Sequence, residues 1–128
     1  MTRAIRIHEH GGPEVLRFEE VELDKLGARQ VRIRQTAIGV NFIDTYERTG
    51  LYPSKLPAVL GREAAGVVTA VGSLVTKIKP GDRVAYASNV AGAYAEERVI
   101  DASRVVALPA SVTEQQAAAM MLKGLTAW

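Results

Sequence analysis

The hydrophobic and polar positions of the first hundred residues predict short strands joined by turns, some of them with strict alternation. Ala4–Ile7 sets Ile5 and Ile7 on one side and Arg6 on the other. Gly11-Gly12-Pro13 marks a turn, and Val15–Leu23 follows as a second extended run with Val15, Phe18, Val21 and Leu23 as its apolar members. Val31, Ile33 and Gln35 alternate with Arg32 and Arg34, which is the pattern of a strand with one buried and one wet face. Gly61–Gly72 is apolar almost throughout, as expected of a buried, bent strand. Lys79-Pro80-Gly81-Asp82 supplies the Pro and Gly that a type II turn requires. Asp82–Ala87, Ala93–Ile100 and Arg104–Leu108 complete the strands.

Two segments break the alternation. Asn41–Gly50 reads as a short helix, with Asn41 at its cap and Gly50 in the left-handed position after its end. Ser111-Val112-Thr113-Glu114 reads as a capping box that opens a longer helix, Val112–Trp128. Many short strands with few helices predict a mainly β fold, a partly open barrel or a sandwich. No internal repeat is visible.

Length and composition narrow the function classes. At roughly 150 residues per domain, 128 residues make one domain. With 48% hydrophobic and 23% charged residues the chain is globular, not a disordered tail. Sixteen Lys+Arg against 14 Asp+Glu leave a net charge of +2, too small an excess for a surface built to hold nucleic acid. No window approaches the ~18 uninterrupted apolar residues of a membrane span. The first nine residues lack the apolar centre of a secretion signal, and there is no cysteine, so the expected location is cytoplasmic with no membrane partner. The absence of Cys also removes most zinc architectures. His8 and His10 would supply only two ligands and read as exposed side chains beside a turn.

Several chemistries fail on spacing. Gly61-Arg-Glu-Ala-Ala-Gly66 has the glycines of a phosphate loop, but Val67 and Val68 stand where Lys and Ser or Thr are needed. Gly-x-Gly-x-x-Gly and Gly-x-Ser-x-Gly are both absent, so neither a dinucleotide loop nor a hydrolase elbow is present. What remains is Asn41-Phe-Ile-Asp44-Thr-Tyr46, followed by Tyr52 just past Gly50. A phenol can donate to a carbonyl oxygen, and its ring can stack on a flat ligand. An ordinary N-cap with two partly buried packing tyrosines fits the same residues.

His10-Gly-Gly-Pro-Glu-Val-Leu16, Gly39-Val-Asn-Phe-Ile-Asp-Thr-Tyr46, Arg48-Thr-Gly-Leu-Tyr52-Pro and Leu60-Gly-Arg-Glu-Ala-Ala-Gly66 resemble the NADPH-dependent quinone oxidoreductases, as do Lys79-Pro-Gly-Asp-Arg-Val84, Gly92-Ala-Tyr-Ala95 and Lys123-Gly-Leu-Thr126. These enzymes form the zeta-crystallin branch of the medium-chain dehydrogenase/reductase superfamily. The resemblance covers nearly the whole chain. It implies a GroES-like catalytic domain over residues 1–111, with 112–128 as the start of a helix leading to an absent Rossmann domain. The chain would then be an N-terminal fragment, inactive by itself, of a homodimeric enzyme.

The resemblance implies that Asn41, Phe42, Ile43, Asp44, Thr45 and Tyr46 lie against the nicotinamide end of NADPH, with Thr126 approaching from below at the start of the crossing helix. Asn41, Tyr46 and Tyr52 would be the catalytic set, the two tyrosines lining the pocket for a quinone or a conjugated carbonyl. Zinc alcohol dehydrogenases carry Cys where this chain has Asn41 and His where it has Arg62, so no zinc is expected. Arg62 and Glu63 would form a structural pair. Two other functions remain open on these motifs: an enone reductase, and a non-catalytic GroES-like binding module. A domain lacking its returning C-terminal strands would also expose a sheet edge and an apolar patch, unless Val112–Trp128 covers them.

Overall fold

The computed structural model describes all residues, 1–128, and builds them into two antiparallel sheets. The strands are β1 (Thr2–Ile7), β2 (Arg17–Val21), β3 (Gln30–Gly39), β4 (Ala58–Val59), β5 (Glu63–Val71), β6 (Arg83–Ala87), β7 (Glu97–Asp101) and β8 (Val105–Ala107). The helices are α1 (Phe42–Thr49) and α2 (Glu114–Ala127). One sheet runs β2-β1-β4 and the other β7-β3-β5-β6-β8. An isolated bridge between Ala4 and Ala95 joins them, and the barrel is not closed.

The alternation read from β3 is the alternation of the core. Val31 and Ile33 are fully buried and pack with Ala64, Val68, Val84, Tyr86 and Ile100. Burying each such Val or Ile contributes about 1.5–3 kcal/mol. Gln35 continues the same face and serves as an internal polar tie. Its amide donates to the carbonyls of Ala93 (2.9 Å) and Ala95 (2.5 Å), while its oxygen accepts from the buried Tyr86 hydroxyl. Register shifts between Arg32 and Ile33 and between Gln35 and Ala37 bend the β3–β5 ladder, matching the bent strand expected over Gly61–Gly72. The Lys79–Asp82 turn forms as expected, with Gly81 at φ 94° and the Asp82 amide donating to the Lys79 carbonyl.

Three expectations shift. In β1, Ala4 and Ile7 are the fully buried residues and Ile5 is half-buried: Ala4 bridges Ala95 across the two sheets, and Ile7 packs with Val15 and Leu60. Val15 lies in a 3-10 turn, Pro13–Val15, and is buried against Ile7 and Leu60, so the second strand starts only at Arg17. The capping box of α2 is Thr113 with Gln116, two residues later than Ser111 with Glu114. Gln116 N–H donates to Thr113 Oγ1 (3.1 Å) and Thr113 N–H to Gln116 Oε1 (3.0 Å). Glu114 instead takes the Arg83 guanidinium, with both contacts at 3.2 Å, and this holds its carboxyl below the ordinary range.

Helix α2 lies on the larger sheet through Ala117 and Ala118, which meet Ala65 and Ala85. Four small side chains let the helix backbone approach the sheet closely. The β3–β7 ladder ends at Arg34, whereas the β3–β5 ladder continues to Gly39. Beside this one-sided stretch lies an apolar groove of about 350 Å3, lined by Ile5, Phe18, Ile38, Val40 and Tyr94 among others. Helix α2 packs elsewhere, on β3, β5 and β6.

Candidate functional site

Helix α1 forms where the sequence places it, from the cap position Asn41 to Gly50 in the left-handed conformation at φ 87°. Asp44 Oδ2 accepts from the Asn41 backbone N–H at 3.0 Å, tying the first turn. The inner face of the helix is acidic: Asp44 and Glu47, one turn apart, are both buried. Each has a dedicated partner. The Tyr94 hydroxyl donates to Asp44 at 2.6 Å, and the Arg62 guanidinium forms an ion pair with Glu47. Arg62 also donates to the Asn89 carbonyl, tying α1 to the loop after β6.

The outer face is aromatic. Phe42 is 80% exposed, and Tyr46, one turn on, is 37% exposed. The Tyr46 and Tyr52 rings meet edge to face, with centroids 5.4 Å apart and planes at 65°. The Tyr52 backbone N–H, donating to the Tyr46 carbonyl at 3.2 Å, folds the chain back so that the rings meet.

Asn41 belongs to a second cluster. Its Nδ2 donates to Glu63 Oε2 at 2.5 Å, and its Oδ1 accepts from Lys123 Nζ at 2.9 Å. Glu63 opens β5 and is wholly buried. Its other donors are the Leu122 backbone N–H (3.0 Å) and Lys123 Nζ (3.2 Å). The carboxylate therefore joins β5, the start of α1 and the later half of α2. The chain reserves room for it at Gly39, where a Cβ would fall 2.4 Å from both Glu63 Cγ and the Ala118 carbonyl oxygen.

Of the expected site residues, the fold brings Tyr46 and Tyr52 together and sets Asn41 apart, on Glu63 and Lys123. Asn41, Tyr46 and Tyr52 line none of three cavities of about 760, 350 and 260 Å3, whereas Asp44 and Thr45 line the smallest of these with Leu60 and Tyr94. Ile43 and Thr45 are half-buried, with Thr45 Oγ1 donating to the Phe42 carbonyl at 2.6 Å, while Asp44 faces inward. Thr126 lies in the last turn of α2, not at its start, and its hydroxyl donates to the Leu122 carbonyl at 3.0 Å. Arg62 and Glu63 do not pair with each other; as neighbours on an extended strand entry they diverge, toward Glu47 and toward Asn41. His8 and His10 are exposed, as expected, and go to different partners: Glu19 at 2.6 Å and the Glu47 carbonyl at 3.1 Å. No three His, Cys, Asp or Glu side chains converge in a metal-binding group. Spacing did not single out Glu47, Lys123 or Tyr94. The available signal was the charge of Glu63 at the head of the otherwise apolar run Ala64–Val68.

Residues 27–110 match the family model of the alcohol dehydrogenase GroES-like domain, which covers most of the chain. The chain belongs to this family. The chain is 53% identical over 127 residues to quinone oxidoreductase of Pseudomonas aeruginosa, a match that takes in 98% of this chain and 39% of that protein. It superposes on Escherichia coli quinone oxidoreductase, solved in complex with NADPH, with a TM-score of 0.93 and 50% identity, over 97% of this chain and 38% of the other. It is also 43% identical to a 2-haloacrylate reductase of Burkholderia over 99% of its length and 40% of that protein. The chain thus spans about two-fifths of the length of these relatives.

Inside the domain, burial and then the Asp44 carboxylate hold the Tyr94 phenol well above its ordinary pKa of 10, and burial raises Tyr86 as well. The fold retains these protons while the unfolded chain releases them near pH 10, so stability is intact below that pH and falls as pH rises past it. Urea midpoints measured from pH 9 to pH 11 should decline. Tyr94→Phe should soften the decline and cost about 1–3 kcal/mol at pH 7, since Asp44 loses a buried donor.

Proposed function

We propose that this chain forms one wall of the active-site cleft of an NADPH-dependent, zinc-independent quinone oxidoreductase, with the nucleotide held mainly by polypeptide beyond the matched two-fifths. The observation that carries this reading is the superposition on a quinone oxidoreductase solved with NADPH, at 50% identity. Residues 1–111 act as the catalytic domain, and the helix from 112 onward leads toward the nucleotide-binding part.

The residues at the expected contact positions suit only one end of the cofactor. Phe42 and Tyr46 offer exposed aromatic surface, and Asn41 retains one N–H and one lone pair beyond its bonds to Glu63 and Lys123. When bound, NADPH supplies the hydride. The chain's own part is to place a flat acceptor against the exposed rings of Tyr46 and Tyr52 and to donate a phenolic hydrogen bond to the quinone oxygen as it gains charge. Asn41 orients the carboxamide end of the nicotinamide, with Thr126 on the opposite side.

The donor set disfavours zinc at the positions where alcohol dehydrogenases carry ligands. An arginine side chain offers a metal no lone pair and Arg62 is committed to Glu47, while Asn41 is a weak neutral ligand already held by two charged partners. A quinone, as a strong electron acceptor, needs no Lewis acid. The likeness to 2-haloacrylate reductase favours one second reading, reduction of α,β-unsaturated carbonyls on the same surface.

The full-length protein, assayed by NADPH oxidation with 1,4-benzoquinone and with a panel of enones, should turn over quinones fastest and keep its rate after dialysis against EDTA. Asn41→Ala and Tyr52→Phe should each lower kcat/KM about tenfold or more, since each removes an interaction at the reacting end. NADPH consumption that is independent of quinone and indifferent to both substitutions would overturn the reading. Faster turnover of the enones would replace it with the second one.

A further inference from the structure

We infer that Glu63 is a positioning residue: its buried carboxylate, by gripping Asn41, Leu122 and Lys123 together, fixes the Asn41 amide in the one orientation that meets the nicotinamide ring. The inference rests on the cofactor placement proposed above and adds a residue that placement does not use.

A wholly buried carboxylate is costly unless its lone pairs are filled. Glu63 has three donors: Asn41 Nδ2 at 2.5 Å, Leu122 N–H at 3.0 Å and Lys123 Nζ at 3.2 Å. Lys123 also reaches Asn41 Oδ1 at 2.9 Å, so carboxylate, ammonium and amide close a triangle. The triangle leaves the amide only one orientation. Turned over, Asn41 would set its N–H groups against the ammonium and its oxygen against the carboxylate, and both contacts would become repulsive. The free N–H and lone pair of Asn41 therefore point in a direction set by Glu63. The bond to Leu122 N–H makes the same carboxylate the dock for α2, so the amide and the helix share one reference point.

Glutamine keeps the shape of Glu63 but removes its charge and turns one acceptor into a donor, which faces either Asn41 Nδ2 and Lys123 Nζ together or the Leu122 N–H. The test follows the Asn41 side-chain NH2 resonances in the cofactor-free full-length protein, together with NADPH affinity by fluorescence titration. In Glu63→Gln the downfield amide proton that donates to the carboxylate should move toward the value of a solvated amide, and NADPH affinity should fall about tenfold, as expected for losing one charge-assisted bond. Lys123→Met removes an exposed partner without burying a new polar group. It is the fallback if Glu63→Gln does not fold, and it should shift the same resonances with a smaller loss of affinity. Unmoved Asn41 resonances with NADPH affinity within twofold of wild type, in whichever variant folds, would overturn the role of Glu63 alone. Wild-type protein that binds no NADPH would instead overturn the cofactor placement, whatever the resonances do.

Discussion

Arg62→Ala should lower the unfolding free energy by about 3 kcal/mol or more, the cost of leaving a buried carboxylate without its partner. The Arg62 and Glu47 side chains are 15% and 5% exposed, so water cannot replace the guanidinium. Most of the loss should come from that pairing, with a smaller part from the bond to the Asn89 carbonyl. Arg62→Met with Glu47→Leu, which removes both charges and keeps apolar bulk, should recover most of the stability, whereas Arg62→Met alone should not. Urea unfolding of the three variants reads this directly. Arg62→Ala within 1 kcal/mol of wild type would show that the pair is dispensable.

Gly39→Ala is the second large effect. A Cβ there would sit 2.4 Å from the Ala118 carbonyl oxygen, 2.4 Å from Glu63 Cγ and 2.6 Å from its Cδ. The two obstacles are a helix backbone and a wholly buried side chain gripped by three donors, so neither can move without breaking something else. Overpacking of this kind costs about 1–3 kcal/mol, and the added methyl should also push α2 off the sheet. Protection of the Ala117 and Ala118 amides against hydrogen exchange should fall by at least tenfold more than protection at Val31 and Ile33. Equal loss at both places would mean that the whole fold weakens and that Gly39 has no special tie to the helix.

The parts of the molecule legible in the sequence are those governed by local rules. The alternation of β3 follows from a two-residue side-chain period, the turn at Gly81 from a left-handed φ, and the extent of α1 from Asn41 and Gly50. Where two local signals compete, the sequence pattern alone does not choose between them. Ser111 and Thr113 each begin a capping pattern, and only burial of Ala117 and Ala118 against the sheet selects Thr113. The polar interior of α1 was hidden for a different reason. Asp44 and Glu47 look like the wet side of a helix, while Phe42 and Tyr46 look like its buried side, and the structure has them reversed. Nothing within one turn of the chain announces that Tyr94 lies 50 positions away from Asp44, or that Arg62 lies 15 from Glu47. Pairing of buried charges is decided by topology, and topology is where short-range patterns stop. The same holds for Asn41, recognised by its neighbours in sequence yet held by Glu63 and Lys123.

Helix α2 is riveted at both ends, by Arg83 on Glu114 and by Glu63 on Leu122 and Lys123. It must therefore swing with the sheets as one body. If a cleft beside this domain opens and closes, the Asn41 amide and the helix held to Glu63 will move together with the sheets.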